Sequence, residues 1–422
     1  MITIDGLLPE AYRSPEAHGL QVPVLRRLVA EGASSPGALS VFPAATYPAH
    51  TAIASGVNPR QHGIVTNRVF DPLGQNAGVW RWYAEDVKVP RLWDIARAAG
   101  YSTALDSWPV TVGANATYHV PEYWRARGSE EWKLLRVLST PGLLERVARA
   151  YPSFAANQGA GGLSDEAITD VELALLTTTP PHLSFLHLPQ VDGAQHEHGL
   201  WSAEARAAIE NADRQVGRVL ETIEHAGLRE QTALVVASDH GFASVHRCLN
   251  PNALLRRGGL IELNAEGHVT RWDAMAAGSS GSSYVYLMRS GDAKLEASVR
   301  ALFEQAMKAG QSGIRRIFER SEIEQLGGDP NALLALEAEP DSYFSGGHDS
   351  YETPPDIQAV HGYDPNRPEM KASLLLFGPN IPPGQLEHAR LIDIAPTVAS
   401  WLGLEMRDVE GRQLDVTPTV SR

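Results

Sequence analysis

The chain has 422 residues, 43% of them hydrophobic, with a net charge of −14 and one cysteine, Cys248. That length allows one large domain with insertions, or two to three smaller ones, and the composition is that of an ordinary globular protein. The charge argues against a non-specific grip on nucleic acid, which needs clustered Lys and Arg; the lone cysteine excludes an internal disulfide and a multi-cysteine zinc site; and no apolar run approaches the roughly 18 residues of a membrane span.

Met1 opens a short strand that ends at Asp5-Gly6. Val22 to Gly32 places apolar residues at helical spacing before a glycine stop, so the chain begins as a strand followed by a helix. In Val41 to Gly56, Pro48 suits the first turn of a helix. Thr46 is therefore predicted at a helix N-terminus, where unpaired backbone N–H groups favour an anion. Val89 to Gly100 reads as a helix and Tyr101 to Asp106 as the next strand. Residues 115–160 read as helical and polar, and Leu163 to Thr178 as a helix before the strand that holds His187. Asn211 to Gly227 reads as an amphipathic helix feeding the strand that ends at Asp239.

This alternation predicts an α/β fold with a mostly parallel sheet and helices on both faces. Between 245 and 355, glycine clusters, mixed charge and the strand-like Tyr284-Val-Tyr-Leu predict a smaller α+β insertion, or cap. Residues 1–244 and 356–422 would then form the catalytic core. The α/β pattern resumes with a strand over Lys371 to Gly378 and a helix over Ile394 to Gly403.

Several of these strand-like runs stop at a metal-ligating residue: Asp5, Asp192 and the pair Asp239-His240. Residues at the carboxyl ends of parallel strands converge on one crevice. Asp192 and His196 stand four positions apart, close enough to share a cation on a helix or in a tight loop. With the cysteine excluded, imidazole and carboxylate ligands remain; such a mixed set suits zinc, and also manganese or iron. Two ions about 4 Å apart can hold both the attacking and the leaving oxygen of an in-line phosphoryl displacement.

The blocks Ile4-Asp5-Gly6, Phe42 to His50, Ser55 to Asn67, Asp192 to Gly199, Ser238 to Gly241 and His361 to Pro365 resemble those of the alkaline phosphatase superfamily. Within it, the chain is most similar to the type I phosphodiesterase/nucleotide pyrophosphatase group. The resemblance implies an alkaline phosphatase-like fold and two zinc ions, one held by Asp192, His196 and His361 and the other by Asp5, Asp239 and His240. It makes Thr46 the nucleophile and a ligand of the second zinc, with Asn67 and the backbone N–H after Thr46 donating to a phosphoryl oxygen. It further implies that a phosphoryl-threonine forms and is then hydrolysed.

The implied substrate is a small phosphodiester or nucleotide-like molecule, with Tyr47 as one aromatic wall. The nucleotide-cleaving pattern carries Tyr where this chain has His187, so His187 is taken as the substrate-side residue there. Trp80, Trp82, Tyr83 and Trp108 are candidates for a leaving-group pocket, His348 for a substrate contact, and His62 for a structural turn. Thr46-Tyr-Pro-Ala-His departs from the Cys/Ser-x-Pro-x-Arg run of sulfatases. Phosphonoacetate hydrolase shares the Thr and Asn pairing and is the nearest rival, alongside a phosphomonoesterase. Its carboxylate grip depends on lysines, and this chain has five, none in these blocks. The N-terminus lacks an export pattern, which makes the chain cytoplasmic as written. Because Met1 opens directly inside the first strand, a lost export segment would make it periplasmic or secreted.

Overall fold

The computed structural model describes residues 1–76, 79–124, 129–152, 154, 163–278, 280–310 and 312–416. Short apolar strands build an eight-stranded sheet. They are β1 (Ile2–Ile4), β2 (Ala33–Ser34), β3 (Thr103–Asp106), β4 (Tyr118–Val120), β5 (Leu183–Leu188) and β6 (Leu234–Ala237), with Leu374–Phe377 and Gly384–Gln385 completing it. The spatial order is Gly384–Gln385, β2, Leu374–Phe377, β6, β1, β5, β3, β4. β1 pairs in parallel with both β5 and β6, so three carboxyl ends lie side by side at the sheet's centre.

Alternation along each strand fills two separate cores. Phe185, Val235, Ala237, Leu374 and Leu376 pack with Ala49, Ile53, Trp93 and Ile394 on one face. Leu186, Leu188, Leu234, Val236, Leu375 and Phe377 pack with Leu25, Leu28, Ile209 and Val216 on the other. The helices Thr46–Ser55, Leu92–Ala98 and Ile394–Trp401 thus cover the first face, and Pro23–Glu31 and Ala203–His225 the second. The architecture is mixed α/β, with a large central sheet flanked by helices.

Four details refine or correct the sequence reading. Tyr118–Val120 lies in the stretch expected to be helical but forms β4, a parallel edge strand on β3. Helices Ser129–Leu138 and Leu143–Ala150 follow it, while the remainder of that expectation, at 125–128, 153 and 155–160, lies outside the described residues. The helix expected from Asn211 starts at Ala203, because the Ser202 hydroxyl accepts from Ala205 N at 3.1 Å and caps it. Leu374–Phe377 runs antiparallel to β6. Gly32 has an extended backbone, so its helix stop is set by space: a Cβ there would sit 2.2 Å from Leu376 O.

After His240 the chain leaves the main sheet through β7 (Ala243–Leu249), which pairs with Asp341–Phe344, Glu352–Thr353 and Ala359–Val360. A four-stranded antiparallel sheet stands beside it, in the order Ala274–Ala277, Ser282–Leu287, Leu334–Ala338, Ile314–Glu319. Pairing of Val360 with Ala243 brings His361 back over the ends of β1 and β6.

Candidate metal centre and cleft

The candidate ligands lie just past strand ends or in the helices that follow them. Asp5 follows β1, Asp239 and His240 follow β6, and Asp192 and His196 lie in the helix Gln190–His198 that follows β5. Thr46 is the first residue of Thr46–Ser55, and His361 follows Ala359–Val360.

The seven residues meet. His240 Nε2 lies 3.1 Å from Asp239 Oδ2, 3.3 Å from Asp5 Oδ1 and 3.3 Å from Thr46 Oγ1. Asp192 Oδ1 is 3.4 Å from His196 Nε2, 3.7 Å from His361 Nε2 and 4.0 Å from His240 Nε2. The rings of His240 and His361 stack at 3.6 Å. Asp5, Asp239 and His240 offer ligand atoms within 4.8 Å of one another, as do Asp192, His240 and His361. His240 thus stands between the groups, and His196 joins the second through Asp192.

The orientation of the rings tests whether a cation fits. Nδ1 of His196, His240 and His361 faces the carbonyl of Ala359 at 2.8 Å, Gly241 at 3.1 Å and Ala44 at 3.1 Å, respectively. A carbonyl only accepts, so each Nδ1 carries a proton, and in the neutral ring that a cation requires each Nε2 turns a lone pair into the site. Those lone pairs face Asp5 Oδ1, Asp192 Oδ1 and Asp239 Oδ2, three buried oxygens with no hydrogen-bond partner. Acceptors gathered against acceptors in a buried site call for positive charge between them. The donor set of imidazole nitrogen and carboxylate oxygen fits zinc, with manganese or iron as alternatives.

The electrostatics of the bare side chains express the same strain. Burial, with Asp239 and Asp192 adding repulsion, pushes the Asp5 carboxyl well above its usual range. Burial acts the same way on Asp239, but His240 and His50 outweigh it and hold Asp239 well below that range. Burial disfavours the charged form of His240, yet Asp239, Asp5 and Asp192 raise it to about 9. Burial, together with His240 and His196, holds His361 well below its usual value.

Thr46 and Asn67 line a cleft of about 1310 Å³ together with Asp192, His196 and His361. Tyr284, Tyr286, Tyr343 and His348 line it from the 245–355 segment. The Asn67 amide has a fixed sense: Oδ1 accepts from Tyr47 N at 2.9 Å, which leaves Nδ2 as its donor. The backbone N–H after Thr46, expected to face a phosphoryl oxygen, is therefore engaged by Asn67.

Two residues expected on the substrate side lie elsewhere. Tyr47 is fully buried; its hydroxyl donates to Glu122 Oε1 at 3.2 Å and its ring packs 5.3 Å from Trp80, so Trp80 lines the cleft in its place. His187 is 1% exposed and lies behind Asp5, with Nε2 3.1 Å from Asp5 Oδ2. Paired with Thr3, His187 projects from the sheet face covered by the Thr46–Ser55 helix, where His50 packs against its ring at 4.5 Å, and it does not line the cleft. Trp82 and Trp108 are core residues, and His62 is buried, its Nδ1 accepting from Ile64 N at 3.1 Å.

Three residues of the site escaped the sequence reading. His50 Nδ1 bonds Thr46 O and its Nε2 bonds Thr3 Oγ1, both at 2.9 Å, tying the start of the Thr46 helix to β1. Arg68 and Arg81 line the cleft beside Asn67, and no carboxylate among the described residues reaches ion-pair distance of either. Arg68 lies 5.3 Å over the Trp80 ring. The only signal in the sequence was the adjacency of Asn67 and Arg68.

The family model described as Type I phosphodiesterase / nucleotide pyrophosphatase matches residues 1–364. The chain belongs to that family. Ectonucleotide pyrophosphatase/phosphodiesterase family member 1 of Mus musculus is 27% identical over 250 residues, 57% of this chain and 23% of that protein. Family member 7 of Homo sapiens is 24% identical over 271 residues, 63% and 50% of the two chains. The chain thus spans between about a quarter and a half of the length of these curated relatives. The solved structure of murine ectonucleotide pyrophosphatase/phosphodiesterase 5 superposes with a TM-score of 0.69 at 19% identity, over 98% of this chain and 99% of the other. That likeness makes the fold alkaline phosphatase-like. An inactive threonine-to-alanine form of the same murine protein, solved in complex with AMP, superposes equally well, at 18% identity over 98% and 99%.

Proposed function

We propose that the chain is a two-metal hydrolase of phosphodiester or pyrophosphate bonds in small, nucleotide-like substrates, with Thr46 as nucleophile. Residues 1–244 and 356–422 serve as its catalytic core, and residues 245–355 supply the far wall of the cleft. The observation that carries the reading is the placement of Thr46 Oγ1, at a helix N-terminus and 3.3 Å from His240 Nε2, where unpartnered Asp5 and Asp239 oxygens converge. Inactivity of the threonine-to-alanine murine relative agrees with it.

Asp192, His196 and His361 would hold one divalent ion, and Asp5, Asp239, His240 and Thr46 the other. Such ions lower the pKa of a bound hydroxyl and offset charge on the attacking and leaving oxygens. Thr46 Oγ1 attacks phosphorus in line, the ester or anhydride oxygen leaves, and the phosphoryl-threonine is hydrolysed by water to restore the hydroxyl. Asn67 Nδ2 donates to a non-bridging oxygen throughout. The alternative, C–P hydrolysis of a phosphonate such as phosphonoacetate, draws support from Arg68 and Arg81, which suit a carboxylate as well as a second phosphate. Assay of zinc-loaded protein against an aryl phosphodiester, its monoester and phosphonoacetate separates these readings. The diester is expected to lead the monoester by at least about tenfold in kcat/KM, a gap of roughly 1.4 kcal/mol. A preference for phosphonoacetate or the monoester overturns the diesterase assignment.

A further inference from the structure

Glu122 is a buried carboxylate outside the cleft lining that contacts two residues standing behind the site, His187 and Tyr47. Its side chain is 9% exposed, and burial raises its pKa. Oε1 accepts from the Tyr47 hydroxyl at 3.2 Å, while Oε2 makes no hydrogen bond and lies 3.3 Å from His187 Nδ1 as a close charge contact. The same Nδ1 is 3.1 Å from Ser107 O, so His187 faces acceptors at both nitrogens, with Asp5 Oδ2 on the other. His50 packs edge-on against the ring at 4.5 Å, which fixes its plane. One buried path therefore runs from Asp5 through His187 and Glu122 to Tyr47, whose N–H closes on Asn67 Oδ1.

A carboxylate this deep is penalised by desolvation unless its partners compensate. An apolar side chain of similar size would fill the space without that cost, so the geometry asks what Glu122 does. The answer lies at its two ends. With Asp5 Oδ2 held by His187, Oδ1 is the oxygen left without a partner, and it is the one aimed at His240. With the Tyr47 ring held by Glu122, the first turn of the Thr46 helix and the Asn67 amide are set together.

We propose that Glu122 is a positioning residue that acts through His187 on the Asp5 metal site and through Tyr47 on the Thr46 and Asn67 side. The inference rests on the two-metal reading. The test is zinc affinity of the full chain, measured by competition with a chromogenic chelator, alongside kcat and KM for an aryl phosphodiester. Glu122→Ala and His187→Ala are each expected to weaken one of two zinc equivalents by about 10–100-fold, the scale seen when a ligand loses its supporting hydrogen bond. Glu122→Gln, which keeps an acceptor for His187, is expected to recover most of that loss. Tyr47→Phe is expected to lower kcat with zinc affinity unchanged.

Because Glu122 reaches Asp5 through His187, the double variant should bind zinc as weakly as His187→Ala alone. Multiplied losses would show an independent route and overturn the proposal. Should Glu122→Ala fail to fold, Glu122→Leu, which fills the space but offers His187 no acceptor, and His187→Asn carry the comparison, and parent-like zinc affinity in both overturns it equally. If the parent chain binds no zinc, the two-metal reading falls and takes this inference with it. If the parent binds two ions and the variants match it, the positioning role alone is refuted.

Discussion

Asn67 holds two roles that a pair of substitutions can separate. Its Oδ1 accepts from Tyr47 N at 2.9 Å, and Tyr47 is fully buried, so the amide oxygen serves the fold and Nδ2 is left for the cleft. Asn67→Asp keeps an oxygen for the Tyr47 N–H and should unfold within about 1 kcal/mol of the parent, the net worth of one hydrogen bond. Asn67→Ala strands that N–H without an acceptor and should cost about 1–3 kcal/mol.

For turnover the order reverses. Loss of one oxyanion donor lowers kcat by about 10²–10³, or roughly 2.7–4 kcal/mol. The carboxylate adds repulsion toward the phosphoryl oxygens. At about 4 Å and an effective dielectric near 20 this reaches about 4 kcal/mol. Salt and the open mouth of the cleft reduce it to about 1–2 kcal/mol, roughly a further tenfold. Denaturant unfolding and steady-state hydrolysis of an aryl phosphodiester read both quantities. The expected result is that Asn67→Asp is the more stable and the less active of the two. Turnover by Asn67→Asp within tenfold of the parent would falsify the assignment of Nδ2 as a phosphoryl donor.

Three further outcomes follow from the same geometry. Thr46→Ala should lower diester turnover by at least about 10³-fold while unfolding within about 1 kcal/mol of the parent, since the Thr46 hydroxyl makes no capping bond; Thr46→Ser should retain measurable activity. Arg81→Ala should raise KM about tenfold for a substrate that releases pyrophosphate, the scale of one charge-assisted hydrogen bond, and change KM for a neutral aryl leaving group less than about threefold; equal effects on both substrates would remove Arg81 from the leaving-group side. Gly241→Ala places a Cβ 2.1 Å from Glu369 O beside His240, so it should lower unfolding free energy by about 1–3 kcal/mol and weaken zinc binding in a titration.

The main sheet and the ligand positions are legible because each strand announces its own end. β1 and β6 are short apolar-rich runs that give way within two residues to an acid and soon after to a glycine, and a parallel sheet turns such ends into one site. Gly6, at φ +64°, marks the turn after Asp5 that any side chain would strain. β4 is not legible: it is three residues long, at an edge, and followed by helices, so local composition outweighs its weak strand signal. What stands behind a ligand is not legible either. The pairing of Thr3 with His187 decides that His187 supports Asp5, and a register between segments so far apart leaves no local trace. Arg68 and Arg81 reach the cleft through an isolated bridge between Arg68 and Trp80, a pairing that no periodicity encodes.

The central claim is that Thr46 and two ligand groups form one metal-dependent phosphodiesterase site. Chelated protein titrated with zinc while hydrolysis of an aryl phosphodiester is followed tests it most directly. Activity is expected to be absent at the start, to rise with zinc and to level off near two equivalents per chain, one for each ligand group, with Thr46→Ala flat throughout. Full hydrolysis by the metal-free chain, or by Thr46→Ala, would contradict the account.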